Sequence, residues 1–116
     1  MTRYRAGAAA LRAAGVFCAA LAVSSGFVPV EAAAATHTVV MEGVGFVPNV
    51  VTVARGDTVV WVNEDPFPHT ATAQDKSFDS KEIAPGKSWR FTAKKSGTIP
   101  YVCKLHPSMK GTLIVK

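Results

Sequence analysis

From Thr38 to the C-terminus the chain is repeatedly broken by glycine and proline, so no long helix can form across it. The breaks are Gly43-Val44-Gly45, Arg55-Gly56-Asp57, Pro66-Phe67-Pro68, Ala84-Pro85-Gly86 and Lys95-Ser96-Gly97. Glycine admits backbone angles that other residues resist, and proline fixes φ and removes an N–H donor, so each cluster reads as a turn. Between them lie short runs rich in Val, Thr, Trp, Phe and Ile: Thr38–Met41, Val50–Ala54, Thr58–Asn63, Ser88–Thr92, Thr98–Cys103 and Thr112–Val115. Short β-prone runs separated by turns predict an all-β sandwich or barrel. Val50–Ala54 and Thr58–Asn63, joined by Arg55-Gly56-Asp57, read as a hairpin. Thr58–Asn63 is apolar on both sides over part of its length, which predicts a central, well-covered strand.

The first thirty-odd residues follow another logic. Arg3, Arg5 and Arg12 make a basic start, Ala13 to Val23 is mostly apolar, Ser24 to Pro29 breaks the run, and Ala32 to Ala35 supplies small residues. These are the three parts of a secretory signal peptide. A membrane span needs about 20 continuous apolar residues, and this run is shorter and interrupted. A lipid anchor at Cys18 is the weaker rival, because Cys18 sits inside the apolar stretch. Residues 1–35 are therefore expected to be a cleaved leader, cut after Ala34 or Ala35, and residues 36–116 the folded domain. The cut removes three arginines and Glu31, so that 13 basic and 8 acidic residues become ten and seven. A net charge of +3 gives no reason to expect nucleic acid as a partner, and nothing after cleavage calls for stable membrane insertion.

A domain of this size buries a modest share of its surface and often needs a disulfide or a metal. Of the two cysteines in the chain, Cys18 and Cys103, only Cys103 remains after cleavage, so no internal disulfide can form. An unpaired cysteine in an exported protein requires an explanation. Tyr101-Val102-Cys103-Lys104-Leu105-His106-Pro107-Ser108-Met109 offers one. A thiolate, an imidazole and a thioether follow at intervals of three, just past a predicted strand, and His69 lies near another strand end. Two imidazoles, one thiolate and a weak axial thioether suit copper that cycles between Cu(I) and Cu(II). Any one of these residues alone would be read as core packing. Zinc sites lack the thioether. A Cys–His nucleophilic pair would need an orienting third group and an oxyanion hole, and the sequence nominates neither.

Beyond these residues, the sequence resembles the cupredoxins, the type 1 blue-copper proteins, and among them the amicyanin group. The resemblance runs from about Val39 to Lys116 and rests on Phe46-Val47-Pro48, Val53-Ala54-Arg55-Gly56-Asp57-Thr58-Val59, Trp61-Val62-Asn63, His69 and the loop from Cys103 to Met109. Two residues between Cys and His, and two between His and Met, is the amicyanin spacing. The resemblance implies a Greek-key β-sandwich, with His69, Cys103 and His106 as equatorial ligands of one copper ion and Met109 as the axial ligand. It further implies that the His106 ring edge reaches solvent through an apolar patch, for which Leu105, Pro107, Phe67 and Pro68 are candidates. The family often has Asn or Ser after the first histidine, tying the two ligand loops together. This chain has Thr70, whose hydroxyl offers one hydrogen-bond donor.

The expected function is one-electron transport between protein redox partners that dock around His106, by a monomer in the periplasm or another exported compartment. The alternative is a copper chaperone or buffer, which exposes its ion, often through Met-rich segments; only Met41 and Met109 remain after cleavage. A copper enzyme is expected to need further histidine clusters and a second domain, so none is assigned. Trp61, Trp89 and Met41 read as core, and Lys104 and Lys110 as solubilising lysines or a basic rim. His37 reads as an incidental polar residue. With a cut after Ala34, however, the start Ala35-Thr36-His37 would offer Cu(II) a square-planar set of nitrogens.

Overall fold

The computed structural model describes residues 15–27 and 33–116. The chain divides into two units, Met1–Val30 and Glu31–Lys116. In the first, residues 15–27 have no regular secondary structure, and the basic residues Arg3, Arg5 and Arg12 lie outside the described residues, as do positions 28–32. Among the described residues no helix is long and apolar enough to cross a membrane.

Among its described residues the second unit has eight strands: β1 (Thr36–Met41), β2 (Phe46–Val47), β3 (Val50–Val53), β4 (Thr58–Asn63), β5 (Thr72–Ala73), β6 (Ser88–Thr92), β7 (Gly97–Val102) and β8 (Lys110–Val115). They form two four-stranded sheets, ordered β2-β1-β4-β6 and β3-β8-β7-β5. The all-β expectation holds, and β4 is central, parallel to β1 on one side and antiparallel to β6 on the other. Side chains alternate between the two faces of a strand. Thus β4 turns Val59, Trp61 and Asn63 inward, and β8 turns in Gly111, Leu113 and Val115. Trp61 is the hub of the core. It has no exposed surface, and its ring centroid lies 5.3 Å from Phe78, 5.7 Å from Trp89 and 5.5 Å from Tyr101. Opposite Tyr101 in the β7–β8 register stands Gly111. A Cβ there would run into the Tyr101 ring, so this position admits only hydrogen.

The predicted hairpin of Val50–Ala54 with Thr58–Asn63 does not form. β3 pairs in parallel with β8, in the opposite sheet from β4. Both strands have an inward apolar face, Val51 and Val53 on one and Val59 and Trp61 on the other. A sandwich buries both faces by setting them on opposite layers, and Arg55-Gly56-Asp57 becomes the crossing between sheets. That crossing is anchored to the end of β6, where Gly56 N–H donates to Ala93 O at 2.6 Å and Ala93 N–H donates to Asp57 O at 2.9 Å. Two short strands, β2 and β5, have no counterpart among the predicted runs.

Asp57 pins the start of the domain. Its carboxylate accepts the N–H groups of Ala35 at 2.9 Å and Ala54 at 3.0 Å, and Nε2 of His37 at 2.9 Å. His37 is thus held as a strand residue, paired in register with Val59. A square-planar copper site on Ala35-Thr36-His37 would have to take that imidazole from Asp57 and break the strand. Hydrogen bonds from Ala35, His37 and Ala54, in that order, bring the Asp57 carboxyl from the usual 3.8 down to about 2. A carboxyl held low stabilises the fold above its ordinary value, and that contribution is lost as pH falls through the lowered one. The melting temperature is therefore expected to drop as the pH is taken from about 4 to about 2. Asp57→Asn should melt lower at neutral pH and show a smaller acid drop; thermal melts of both proteins across that range check it.

Candidate metal centre

Two loops at one end of the sandwich bring the predicted donors together. One follows β4 and carries Asp65 to His69. The other follows β7 and runs from Cys103 to Met109, where β8 takes over. The first loop is locked by Asn63, a polar residue at an inward position of β4. Its amide donates to Phe67 O and to Ile83 O, both at 2.9 Å, and its Oδ1 accepts the N–H of Asp65 at 3.0 Å. His69 then pairs with Ile83 through two backbone hydrogen bonds, His69 N–H to Ile83 O at 3.2 Å and Ile83 N–H to His69 O at 2.7 Å. The second loop closes on itself: Cys103 N–H donates to Met109 O at 3.0 Å, and Met109 N–H donates to His106 O at 2.8 Å. The spacing of three between Cys103, His106 and Met109 is the length of this turn.

The side chains of His69, Cys103 and His106 converge, with their donor atoms all within 4.8 Å of one another. Nδ1 of His69 lies 3.7 Å from Cys103 Sγ, and Nδ1 of His106 lies 3.8 Å from it. Cys103 and His69 have no exposed surface and Met109 has 1%, whereas His106 is partly exposed. The backbone bonds of Met109 hold it at the closing end of the same loop. A thiolate and two imidazole nitrogens facing a common centre, with a buried thioether on the same short loop, fit copper better than zinc or a hard cation. The fit does not extend to nucleophilic chemistry, because the sulfur is sealed from solvent.

Second contacts orient these donors. Thr70 N–H donates to Cys103 Sγ at 3.2 Å, and Thr70 Oγ1 accepts the N–H of Lys104 at 2.9 Å. Threonine therefore does tie the two loops together. Nε2 of His69 lies 2.7 Å from Asp65 Oδ2, so Nε2 carries the proton and Nδ1 presents its lone pair to the centre, the arrangement usual for a metal-bound imidazole. The Asp65 carboxylate also accepts the N–H groups of Gly43 at 2.8 Å and Val44 at 3.0 Å. Burial alone would raise this carboxyl. The hydrogen bonds from Val44, His69 and Gly43 outweigh it, and the net shift is downward. Gly43 and Val44 both have positive φ, 59° and 54°, and a β-branched residue rarely adopts that conformation. Asp65 thus joins a strained turn after β1 to the histidine. Sequence reasoning missed Asn63 and Asp65. A signal existed in each case: a polar residue on the inward side of an alternating strand, and a carboxylate four positions before a ligand histidine.

Removing the charge from Asp65 leaves the His69 tautomer unsupported. Loss of such an outer partner typically costs 10–100-fold in metal affinity. Asp65→Asn is expected to bind copper about 10–100-fold more weakly, measured by competition against a chelator of known affinity.

Comparison with known proteins agrees with this geometry. A family model described as a Cupredoxin-like domain matches residues 10–115. A plastocyanin from Scenedesmus fuscus is 36% identical over 84 residues, which cover 61% of this chain and 86% of that protein. An amicyanin from Paracoccus versutus is 30% identical over 71 residues, or 57% of this chain and 54% of that one. Among solved structures, the Cu-containing nitrite reductase of Thermus scotoductus SA-01 superposes with a TM-score of 0.66 at 34% identity. The match covers 70% of this chain and only 22% of the reductase.

Proposed function

This chain belongs to the cupredoxin-like family, and on that premise we propose that it is an exported one-electron carrier whose copper is held by His69, Cys103, His106 and Met109. The copper, when bound, supplies a one-electron Cu(II)/Cu(I) couple. The observation that carries the reading is the set of three donor atoms within 4.8 Å of one another, two of them on fully buried side chains. Thr70 N–H and the backbone of the Cys103–Met109 turn hold the sulfur in place, and Asp65 holds His69. Donors clamped in this way have little freedom to move when charge changes, and a small rearrangement favours fast electron exchange.

His106 is the one donor side chain of the four that reaches solvent. Around it, Leu105 is 43% exposed and Phe67 36%, and Pro107 is exposed beside them. The Phe67 ring lies 5.4 Å from His106 and 5.1 Å from His69, centroid to centroid. A protein partner that packs on this apolar surface excludes water and comes within a short distance of the His106 ring. The enclosure of Cys103, His69 and Met109 favours a carrier over a chaperone, which has to surrender its ion. The relatives that bear the names plastocyanin and amicyanin are electron carriers, not enzymes, and the reductase match is confined to a fraction of that protein. Export rests on the leader-like composition of residues 1–35. The first strand begins at Thr36, so a cut after Ala34 or Ala35 leaves every strand whole.

Loading the purified domain with Cu(II) is expected to give an intense blue colour from charge donation by Cys103, lost in Cys103→Ser and kept through repeated reduction and reoxidation. A colourless Cu(II) protein, or one that sheds its copper on reduction, would overturn the assignment in favour of a buffer or chaperone. For the port, Leu105→Glu is expected to slow electron exchange with a small redox protein at least tenfold while leaving the potential nearly unchanged; stopped-flow kinetics alongside voltammetry separates the two effects.

A further inference from the structure

A chain of hydrogen bonds runs outward from the metal-binding loop to the protein surface. Lys104 N–H donates to Thr70 Oγ1 at 2.9 Å, Thr70 Oγ1 lies 2.9 Å from Thr72 Oγ1, and Thr72 Oγ1 donates to Asp79 Oδ1 at 3.2 Å. The directions follow from chemistry. Asp79 is a carboxylate held well below its ordinary range, chiefly by Lys104 and by the N–H of Lys81, so at neutral pH it only accepts. Thr72 spends its single proton on Asp79, and Thr70 must therefore donate to Thr72. Thr70, with its proton directed outward, turns its lone pairs toward Lys104 N–H. Every link points the same way, and such chains strengthen one another. The other Asp79 oxygen accepts from Lys104 Nζ at 2.8 Å. Lys104 is thus gripped at both its backbone and its side chain by the two ends of one network, and Thr70 and Thr72 are buried within it, 4% and 8% exposed.

We propose that Asp79, acting through Thr72 and Thr70, is a positioning residue for the copper loop, holding the Cys103–Lys104 peptide and the Thr70 N–H that donates to Cys103 Sγ. This rests on the copper reading above and extends it to Asp79, with Thr72, two positions after Thr70 and seven before Asp79, as the intermediate. Hydrogen bonding at the cysteine sulfur tunes the potential of such a site. An N–H donated to sulfur favours the reduced state, in which the sulfur carries more charge. If the chain is cut, the Thr70 segment loosens, that bond weakens and the potential falls. The Lys104–Asp79 ion pair is exposed enough to add little stability by itself, so positioning and stability can be told apart.

The test begins on the copper-free protein, with amide hydrogen exchange at Lys104 and Thr70. Thr72→Val keeps the branched shape but cannot relay; Asp79→Ala removes the anchor; Thr72→Ser restores a hydroxyl. Faster exchange at these two amides, tenfold or more, is expected in Thr72→Val and Asp79→Ala but not in Thr72→Ser, with Tyr101 and Leu113 amides unchanged. In the copper-loaded variants the Cu(II)-to-Cu(I) affinity ratio should rise up to tenfold, a fall in potential of up to about 59 mV for one electron. Unchanged exchange in either disrupting variant overturns the proposal, as does a uniform speeding of all amides, which marks a loss of stability alone. Altered exchange with an unmoved potential overturns the positioning role. A protein that binds no copper would overturn the carrier function and leave the exchange result to be judged separately.

Discussion

Thr70 and Cys103 stand 33 positions apart in sequence, and the N–H···S contact between them, at 3.2 Å, is where the two ligand loops become one site. Everything else in the domain serves that meeting. The sheet containing β7 and β8 delivers Cys103 and takes over again after Met109, while β4, in the opposite sheet, delivers the loop that leads to His69. The donors therefore come from both layers. Their separation depends on how the sheets pack, and Trp61 with Phe78 and Tyr101 fills the space between. A packed core of this kind resists small displacements, which is what a site of constant geometry requires.

The polar layer behind the donors is costly to bury and is fully engaged where it counts. Asn63, Asp65, His69, Thr70 and Thr72 are all buried, and each has hydrogen-bond partners. By contrast, Trp61 Nε1 and the Tyr101 hydroxyl lack a partner deeper in the core. Burial without a complete hydrogen bond pushes the Tyr101 phenol up to about 12, a rise only partly offset by the approach of the Trp61 indole. Specificity of position has thus been concentrated at the metal end, and the middle of the core relies on ring packing.

Charge around the site follows the same division. The Lys104 ammonium, which from sequence could have formed a basic rim with Lys110, is neutralised by Asp79 at 2.8 Å. The surface around His106 is left apolar, with Leu105 and Phe67 exposed.

Local chemistry in the sequence was enough to identify the donor types, their spacing along one turn, and most of the strands. Thr58–Asn63 and Ser88–Thr92 coincide with β4 and β6 residue for residue, because alternation and turn residues act within a few positions. The two-residue strands β2 and β5 carried too little pattern to be seen. Pairing was decided elsewhere. Arg55-Gly56-Asp57 looks like a hairpin turn, yet it carries the chain from one sheet to the other, since strand pairing depends on which edges and apolar faces meet across the core. The roles of Asp65, Thr72 and Asp79, and the tie between His37 and Asp57, were likewise set by tertiary structure. A hydrogen bond reads distance and direction in space, and the residues that satisfy His69 or Lys104 are chosen by how the loops fold over one another.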